Sequence, residues 1–459
     1  MNKLRSYPAT DTICAIATPP GVGGIGIIRI SGPAVKQIAE ILCGRLPKAR
    51  VATCMKFREA DGTPIDSGLA LYFPQPNSFT GEDVLELQGH GGPVILQMLM
   101  RRVLDLGARA ARAGEFSERA FLNDKLDLTQ AEAIADLVTS GTAAAARAAQ
   151  QSLAGAFSSQ VHDLQKQLTG LRVFVEAAID FPEEEIDFLA ESDVLQRLQH
   201  VQRRLQTLLG GAKQGRVLRD GIMLAIVGRP NAGKSSLLNA LSGQDSAIVT
   251  DIPGTTRDVL REWIDLDGIP VHVADTAGIR DTVDRIEAEG VKRARAALAA
   301  SDLALLVIDV TADIRQQLSL LNELPDPERT VLVFNKTDLL APGHDPALNS
   351  EYAITAKHKI AVSARTGDGL TGLRAKIRGI LGVADQAEGG FSARQRHIDA
   401  LNRTMKHLAA GEERLSKDRA AELLAEELRL AQQALGEITG EMLPDELLGA
   451  IFSSFCIGK

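Results

Sequence analysis

Gly228-Arg-Pro-Asn-Ala-Gly-Lys-Ser235 lies between an apolar run, Met223–Val227, and a segment of helical character, Ser236–Leu241. A loop of the form GxxxxGK(S/T) between a strand and a helix is typical of a site where backbone N–H groups surround phosphates. In such a loop Lys234 supplies a positive charge for the β- and γ-phosphates, and the hydroxyl of Ser235 suits Mg²⁺. The stretch therefore predicts a nucleotide-binding α/β domain in this part of the chain.

Short apolar runs alternate with helical stretches from about residue 216 to residue 383. Parallel strands joined by crossover helices produce this alternation. We therefore predict an α/β domain with a mostly parallel sheet over residues 216–383. The strands expected after the phosphate loop are Val271–Ala274, Leu303–Val310, Val331–Phe334 and Ile360–Val362.

Three short motifs follow three of these strands: Asp275–Gly278, Asn335–Asp338 and Ser363–Arg365. Asp275 can hold magnesium through a water, and the amide of Gly278 can meet a γ-phosphate. Asp338 offers two acceptors to the N–H donors on the guanine edge, which adenine lacks, and the third motif brings a backbone amide to the guanine oxygen. Ligands gather at the carboxyl ends of parallel strands. The order and spacing of the motifs therefore predict a protein that binds and hydrolyses GTP.

This set of motifs resembles the translation-factor-related class of P-loop GTPases. By that resemblance Gly254–Asp258 is expected to be switch I, with Thr256 as the second magnesium hydroxyl beside Ser235. The residues predicted to bind GTP lie in or next to the phosphate loop, in or just before switch I, or in the three motifs. They are Asn231, Ala232, Gly233, Lys234, Ser235, Ser236, Thr250, Asp251, Ile252, Pro253, Gly254, Thr255, Thr256, Asp275, Thr276, Ala277, Gly278, Asn335, Lys336, Thr337, Asp338, Ser363, Ala364 and Arg365.

The residue that should orient the attacking water is not evident from the motifs. Ras-like GTPases place a glutamine directly after the second motif, whereas this chain has Ile279 there. The segment that follows carries four carboxylates, among which the chemistry leaves the choice open; a solvated charged helix face is the plainer interpretation. They are Asp281, Asp284, Glu287 and Glu289. Asn231 also offers a carbonyl oxygen beside the phosphates, which suits a monovalent cation that would supply positive charge without an arginine.

The rest of the chain has a different texture. Residues 1–125 combine glycines with short β-branched runs and predict an α+β domain. A helical pattern begins near a predicted capping box, Thr129–Glu132, is interrupted at Phe181-Pro182 and ends in an apparent linker, Gly210–Gly215. After a second linker, Ala384–Phe391, helical composition returns. We predict one discontinuous all-α domain, 126–215 plus 392–459, with the α/β domain inserted; two independent helical units are the alternative.

Composition excludes several classes of protein. The formal net charge of −8 means that any contact with nucleic acid must come from a local patch or a partner. The four cysteines, Cys14, Cys43, Cys54 and Cys456, form no CxxC pair, so they suggest neither a zinc site nor a thioredoxin-like motif. The sequence has neither a secretory h-region nor an apolar run of about 18 residues, so we expect a cytoplasmic protein without a membrane span.

Four stretches in register resemble one family along the whole chain: Asp11–Gly32, Asn77–Pro93, Glu115–Leu128 and, beyond the inserted domain, Phe455–Lys459. The family is MnmE (TrmE), the tRNA-modifying GTPases. The resemblance implies a homodimer that forms a heterotetramer with an FAD-containing partner, MnmG. Together they would place an aminomethyl or carboxymethylaminomethyl group on the wobble uridine of certain tRNAs. A tetrahydrofolate derivative (5-formyl- or 5,10-methylene-tetrahydrofolate) bound by the N-terminal domain would provide the carbon.

The resemblance also implies residue roles. In the family the G domains dimerise across potassium ions, and this movement drives the conformational cycle. The implied potassium ligands are Asn231, Thr250, Ile252 and Thr255. Glu287 matches the water-positioning glutamate, and Cys456 matches a cysteine needed for modification. The implied folate-binding residues are Arg29, Glu86, Lys125 and Lys459. Without the resemblance, Arg29 and Glu86 read as water-facing charges of a strand, and Cys456 as a small packed hydrophobe.

Two other functions compete with this one. The first is an RNA-binding or ribosome-assembly GTPase that acts as a switch without one-carbon chemistry. The second is a folate-dependent transferase with a regulatory G domain and no RNA. A run of basic residues on one predicted helix is either a tRNA or partner patch or a solvated face. It comprises Arg394, Arg396, His397, Arg403, Lys406 and His407.

Overall fold

A computed structural model describes residues 11–180, 191–242, 263–274, 301–324, 327–341, 357–382, 390–418, 420–442, 445–455 and 458. The chain divides into two compact units. The first contains Met1–Ala135, Ser152–Gln206 and Asp399–Lys459, and the second contains Asp136–Gln151 and Thr207–Ile398. No helix within the described ranges combines the length and the apolar character that a membrane span requires.

The first unit contains a six-stranded, mainly antiparallel sheet. Its strands are β1 (Ile13–Ile16), β2 (Gly23–Ser31), β3 (Thr53–Arg58), β4 (Pro64–Phe73), β5 (Val84–Gly91) and β6 (Arg109–Ala110), in the order β3-β4-β5-β2-β1-β6. Only the β1–β6 pair is parallel. Alternate residues of these strands are buried under α1 (Val35–Cys43) and α2 (Pro93–Asp105), including Ile28, Ile30, Leu85 and Leu87. This confirms the α+β prediction.

The opposite face of this sheet carries polar and exposed side chains. Arg29 and Glu86 lie opposite each other on β2 and β5. Ile25 and Leu69 are exposed, and the register places Gln88 of β5 between β2 and β4. Helices α1 and α2 pack on one face, whereas the other is packed only near β1, where Ile13 and Ala15 are buried with Phe116. Most strands therefore alternate between apolar and polar residues.

Helices follow the first sheet. They are α3 (Glu115–Leu122), α4 (Leu128–Thr139), α5 (Ala143–Leu153), α6 (Ala156–Asp180) and α7 (Glu191–Asp220). The helix α6 is described as far as Asp180, and the predicted interruption at Phe181-Pro182 lies outside the described residues.

The start of α4 corrects the predicted capping box. Asp127 caps the helix, because its Oδ1 accepts from the backbone N–H of Gln130 at 3.0 Å. In return, the side-chain oxygen of Gln130 accepts from the backbone N–H of Asp127 at 3.0 Å. Thr129 lies inside the first turn and donates to Asp127 at 2.6 Å. The predicted box, Thr129–Glu132, was therefore two residues late, since Asp127 and Gln130 already satisfy both amides.

The predicted linker Gly210–Gly215 is also wrong, because α7 runs through it without a break. A side chain on Gly215 would collide with the backbone oxygen of Phe391, and one on Gly211 would press against the Phe391 ring. These glycines therefore allow the chain near Phe391 to approach the helix closely, which is a packing role and not a flexible one.

The second unit contains the predicted parallel sheet. Its strands are β7 (Ile222–Val227), β8 (Trp263–Leu266), β9 (Ile269–Ala274), β10 (Leu303–Asp309), β11 (Thr330–Asn335) and β12 (His358–Ala361), in the order β12-β11-β10-β7-β9-β8. All pairs are parallel except β8–β9, a hairpin that the sequence analysis did not predict. Both faces are covered: α8 (Lys234–Ser242) and α10 (Leu370–Ile380) pack on one, and α9 (Ile314–Leu318) packs on the other.

Three more helices complete the described chain: α11 (Gln395–Asp418), α12 (Ala421–Thr439) and α13 (Asp445–Ser453). In the first unit α12 packs along α6, where the side chain of Gln432 accepts from Arg172 at 2.7 Å and donates to Thr169 at 2.8 Å. Phe452 and Phe455, at the end of α13, pack against Leu128 and Ala131 of α4. This contact anchors the C-terminal end of the chain beside the N-terminal domain.

One buried carboxylate joins the two ends of the inserted segment. Asp136, in the last turn of α4, accepts at 2.7 Å from Arg219 of α7 and at 2.7 Å from Arg394, just before α11. Arg219 lies just before the first strand of the parallel sheet, and Arg394 follows its last described helix. The chain therefore enters and leaves the inserted domain at one ion cluster, as an insertion requires.

Candidate functional site

The phosphate loop has the conformation that its sequence predicts. It begins after Val227, the last residue of β7, and ends where α8 begins at Lys234. Asn231 and Gly233 have left-handed backbone angles, with φ of 63° and 92°. A side chain on Gly233 would collide with Nδ2 of Asn335, so only glycine allows this close approach. The loop therefore meets the β11 end directly, and the N-terminus of α8 faces the site.

Lys234 folds back over this loop. Its Nζ donates to the backbone oxygens of Gly228 at 2.7 Å and Arg229 at 3.0 Å. The ammonium therefore lies where the loop closes around a phosphate, and the helix N-terminus adds a favourable dipole for negative charge. Ser235 follows in the first turn of α8, and its hydroxyl is an oxygen donor of the kind that Mg²⁺ takes. The exposed Asn231 offers a side-chain oxygen suited to an alkali ion.

Asn335 ties the guanine motifs to the phosphate loop. Its side chain is buried, with 2% exposed. It donates from Nδ2 to the backbone oxygen of Ala232 at 2.9 Å and accepts at Oδ1 from the backbone N–H of Ala364 at 3.0 Å. One amide thus fixes three predicted segments at the same edge of the sheet. Such a buried, fully bonded amide is costly to disturb.

Asp338 is oriented by the third motif. Its Oδ1 accepts from the hydroxyl of Ser363 at 2.7 Å. The backbone of Ser363 is itself fixed, because its N–H donates to the oxygen of Asp368 at 2.9 Å. The backbone N–H of Thr337 donates to Val362 at 3.3 Å, which connects the two motifs again. The carboxylate is therefore held in a defined direction, as recognition of a planar base edge requires.

The predicted one-carbon site lies on the open face of the first sheet. Arg29 donates from Nε to Oε1 of Glu86 at 2.9 Å, and the same oxygen lies 2.9 Å from its NH2. The guanidinium of Arg29 also lies 5.6 Å from the ring centre of Phe79 and 5.8 Å from that of Phe116. A guanidinium near two aromatic rings and paired with a carboxylate fits a planar, amide-like heterocycle, with Glu86 accepting and Arg29 donating.

The C-terminus reaches the same place. Arg29 donates from NH1 to the backbone oxygen of Gly458 at 3.2 Å. Lys125 donates instead to the backbone oxygen of Pro76 at 3.0 Å, on the loop that also carries Phe79. The structure therefore brings Arg29, Glu86 and the chain end together, and Lys125 bonds to the loop beside them.

Comparisons with known proteins agree with this geometry. A model of the "GTP-binding protein TrmE N-terminus" matches residues 12–125, and a model of the "MnmE helical domain" matches residues 128–456. A tRNA modification GTPase MnmE of Pseudomonas aeruginosa (strain UCBPP-PA14) is 57% identical over 456 residues, which cover 98% of this chain and 99% of the relative. The chain belongs to the MnmE family.

Other MnmE proteins are similarly close. That of Ectopseudomonas mendocina (strain ymp) is 56% identical and covers 98% of this chain and 99% of itself. That of Aeromonas hydrophila is 54% identical, with 98% and 100% covered. Among solved structures, the G domain of the T. maritima FeoB iron transporter is 27% identical and matches 35% of this chain and 98% of its own, with a TM-score of 0.26. That score is too low to bear on the fold. Membership of the MnmE family confirms the predicted family and the predicted multidomain fold class.

Several residues that the GTPase motifs or the MnmE resemblance assign lie outside the described part of the chain. They are Thr250, Asp251, Ile252, Pro253, Gly254, Thr255, Thr256, Asp275, Thr276, Ala277, Gly278, Glu287, Cys456 and Lys459. Their predicted roles stay predictions. The strand before the second motif is in place, because β9 ends at Ala274.

The basic residues on α11 have structural partners in this MnmE-family chain. His397 is buried, and Arg394 binds Asp136. Arg403 donates to Glu437 at 2.6 Å and 3.1 Å, and His407 lies 2.7 Å from Glu427. Arg403 and His407 therefore take part in contacts between helices, whereas Lys406 is exposed, and the choice between a tRNA or partner patch and a solvated face stays open.

Sequence reasoning missed part of both sites. Phe79 and Phe116 contact Arg29, and Asp309 contacts Lys336. The position of Asp309 at a strand end was the available signal, since every other motif of the GTP site follows a strand. No comparable signal marked the two aromatic residues.

Proposed function

We propose that this chain is a GTPase of tRNA modification that couples guanine-nucleotide turnover to one-carbon chemistry on the wobble uridine. The observation that carries the nucleotide half is the bridge through Asn335, which places the phosphate loop and both guanine motifs at one sheet edge. The support for the tRNA half is the near-full-length similarity to proteins named tRNA modification GTPase MnmE.

GTP hydrolysis needs groups that neutralise the phosphates and one that positions water. Ser235, with Thr256, holds Mg²⁺, which spreads the negative charge of the β- and γ-phosphates. Asn231, with Thr250, Ile252 and Thr255, holds potassium, which supplies the charge that an arginine finger gives elsewhere. Glu287 positions the attacking water. The support for Glu287 is that Ile279 occupies the place of the usual glutamine and cannot orient water.

The one-carbon half uses a tetrahydrofolate derivative, either 5-formyl- or 5,10-methylene-tetrahydrofolate. Arg29 and Glu86 orient the pterin ring, and Lys125 and Lys459 face its glutamate tail or ring carbonyl. The support is the Arg29–Glu86 pair on an open sheet face and the approach of Gly458 to Arg29. An FAD-containing partner, MnmG, supplies the redox chemistry when it joins this chain in a heterotetramer.

The domain boundaries follow from the same proposal. Residues 1–125 bind folate and dimerise, 126–215 with 392–459 form the helical domain, and 216–383 form the G domain. In the homodimer the G domains close on each other when GTP and potassium are bound. We further propose that the protein acts in the cytoplasm, where its tRNA substrate and GTP are found.

The test measures nucleotide turnover and RNA modification with the same protein. The purified chain should hydrolyse GTP but not ATP, faster in potassium than in sodium, and Glu287→Ala should abolish the turnover while GDP still binds. Equal turnover of ATP, or indifference to potassium, would contradict the nucleotide half. Cells that lack the chain but keep normal wobble uridines would instead favour an assembly GTPase without one-carbon chemistry.

A further inference from the structure

A carboxylate outside the known motifs lies at the ligand-binding edge of the parallel sheet. Asp309 is the last residue of β10, and the sheet register pairs it with Asn335 at the end of β11. Its side chain is mostly buried, with 14% exposed. Ligands of parallel sheets bind at this edge, so a buried charge here needs a reason.

The backbone of Asp309 is fixed by a buried glutamine. The N–H of Asp309 donates to Oε1 of Gln317 at 2.8 Å, and Nε2 of Gln317 donates back to the oxygen of Asp309 at 2.9 Å. Gln317 lies on α9 and is 2% exposed. These two hydrogen bonds fix the backbone of Asp309 in the way that pairing with a neighbouring strand would. The fold therefore sets the direction of the Asp309 side chain.

The two oxygens of the Asp309 carboxylate have different partners. Oδ1 accepts from the backbone N–H of Thr311 at 2.9 Å and from its hydroxyl at 2.6 Å. Oδ2 accepts from Nζ of Lys336 at 2.6 Å. Burial opposes ionisation, but hydrogen bonds from Lys336 and Thr311 outweigh it and hold the pKa of Asp309 below its ordinary value of 3.8. The carboxylate of Asp309 is therefore favoured in its ionised form, which makes its bond from Lys336 a charge-assisted one.

Lys336 is the residue that this bond constrains. It has a left-handed backbone, with φ of 69°, and it follows Asn335, whose side chain bonds Ala232 of the phosphate loop. A free lysine has a long stem with several rotamers, and ordering it when a ligand binds costs affinity. A lysine already held at its far end presents its apolar stem as a fixed surface before any ligand arrives.

We propose that Asp309 is a positioning residue of the guanine site, which holds the stem of Lys336 along one face of the base while Asp338 reads the base edge. This rests on the proposed function, because it takes the Asn335–Asp338 segment as the guanine site. Asp309 acts only through Lys336 and does not touch the nucleotide. The bond from Thr311 stabilises the turn after β10 whether or not a nucleotide is bound.

The test compares two ligands that share a ring face but differ at the base edge. Inosine diphosphate lacks the exocyclic amino group that Asp338 is proposed to read. Asp309→Asn keeps an acceptor for Thr311 and removes the charge that holds Lys336. We expect it to weaken binding of both GDP and inosine diphosphate by roughly fivefold, since one long side chain must now be ordered on binding. Their ratio should stay constant within about twofold.

Asp313→Asn is the matched control. Asp313 caps α9 by accepting from the backbone N–H of Gln316 and lies on the same segment as Asp309. The same substitution there should leave both dissociation constants unchanged within about twofold. Asp338→Asn should instead change the ratio of the dissociation constants for GDP and inosine diphosphate, because it removes the contact with the base edge.

A double-mutant cycle separates positioning from general stability. Lys336→Ala should weaken GDP binding about as much as Asp309→Asn does, and adding Asp309→Asn to it should have no further effect. The proposal is overturned if Asp309→Asn binds both ligands as the wild type does, or if its loss persists in the Lys336→Ala background. If Asp309→Asn does not fold, Lys336→Ala decides alone, and wild-type affinity overturns the proposal. A wild type that binds ADP as well as GDP would sink the proposed function instead.

Discussion

The two six-stranded sheets of this chain carry their functional residues in different places. In the parallel sheet they lie beyond the strand ends, where Asn335 joins the phosphate loop to Ala364. In the antiparallel sheet they lie in the middle of strands, where Arg29 meets Glu86 across β2 and β5. Helices cover both faces of the parallel sheet, so a ligand can reach only its edge. The antiparallel sheet leaves part of one face available to a ligand.

This difference affects how each site depends on the fold. The residues at the parallel edge are part of the hydrogen bonds that hold neighbouring loops, so replacing them disturbs the site as a whole. Arg29 and Glu86 bond to each other on the open face of their sheet, while α1 and α2 pack on the opposite face. We therefore expect substitutions at the edge to have large effects and substitutions on the open face to affect the ligand alone.

The largest effect is expected for Asn335→Ala. It leaves the oxygen of Ala232 and the N–H of Ala364 without their partner, and each loss costs about 1–3 kcal/mol. The affinity for GDP should fall by about 30-fold or more, measured with a fluorescent nucleotide. Asn402→Ala, at an exposed position of α11, is the control and should bind normally. If the Asn335→Ala variant binds GDP within about threefold of the wild type, the expectation of large effects at the edge of the parallel sheet is wrong.

A smaller effect, confined to the folate ligand, is expected for Arg29→Met. Charge-assisted bonds contribute about 1.5–3 kcal/mol, so affinity for 5-formyl-tetrahydrofolate should fall by about tenfold to 100-fold. The free energy of unfolding should change by less than about 1 kcal/mol, because the Arg29–Glu86 pair is partly exposed. Lys56→Met, another cation on the same sheet face, should change neither quantity. Folate binding that survives Arg29→Met would remove the ligand from this face.

The antiparallel sheet should also respond to acid through its β1–β6 edge. Glu115 is buried there; burial opposes its ionisation, but bonds from Arg109 and the Arg112 backbone outweigh this and keep its pKa below 4.5. A lowered pKa means stability that is present above pH 4.5 and is lost as pH falls below it. Between about pH 5.5 and pH 3.5 the free energy of unfolding, measured by calorimetry, should fall less steeply for Glu115→Gln than for the wild type. The difference in slope should be up to ~1.4 kcal/mol per pH unit. Glu118→Gln, with a more exposed ion pair on the same helix, should retain the wild-type slope.

The smallest effect concerns the helix that leads into the parallel sheet. At Gly210 a side chain would meet nothing within 4 Å. Gly210→Ala should therefore raise the free energy of unfolding by about 0.5–1 kcal/mol, as expected inside a helix. Gly215→Ala should instead lower it, because the methyl group would collide with Phe391. If both substitutions change the melting temperature equally, the interpretation of residues 210–215 as a linker would be favoured again.

The same difference between the sheets explains what the sequence alone could predict. Asn335 and Asp338 follow an apolar strand directly, so periodicity and motif spacing were enough to place them. Arg29 and Glu86 have the alternation of any half-exposed strand, and their pairing depends on the register of β2 and β5, which no local pattern encodes. Only the family resemblance identified them. The aromatic neighbours of Arg29 were missed for the same reason, because Phe79 and Phe116 come from a loop and a helix far away in sequence.

Local signals also failed where two interpretations share one composition. The glycines of 210–215 suggested a linker, because sequence does not show that Phe391 approaches them. The basic residues of α11 left a nucleic-acid or partner surface and a solvated face as alternatives, because sequence does not show that Arg403 and His407 pair with Glu437 and Glu427 on another helix. In both cases local pattern could not show the tertiary contacts.

The most direct test of the proposed coupling uses both sheets in one experiment. Cells lacking this chain would be complemented with the wild type, Arg29→Met or Asn335→Ala, and wobble uridines would be analysed by mass spectrometry beside GTP turnover of the purified proteins. We expect Arg29→Met to hydrolyse GTP within about twofold of the wild type and yet leave the uridines unmodified. Asn335→Ala should neither hydrolyse GTP nor support modification of the uridines. Normal modification in the Arg29→Met cells would contradict a one-carbon site on the open face, and normal modification with Asn335→Ala would contradict its dependence on GTP.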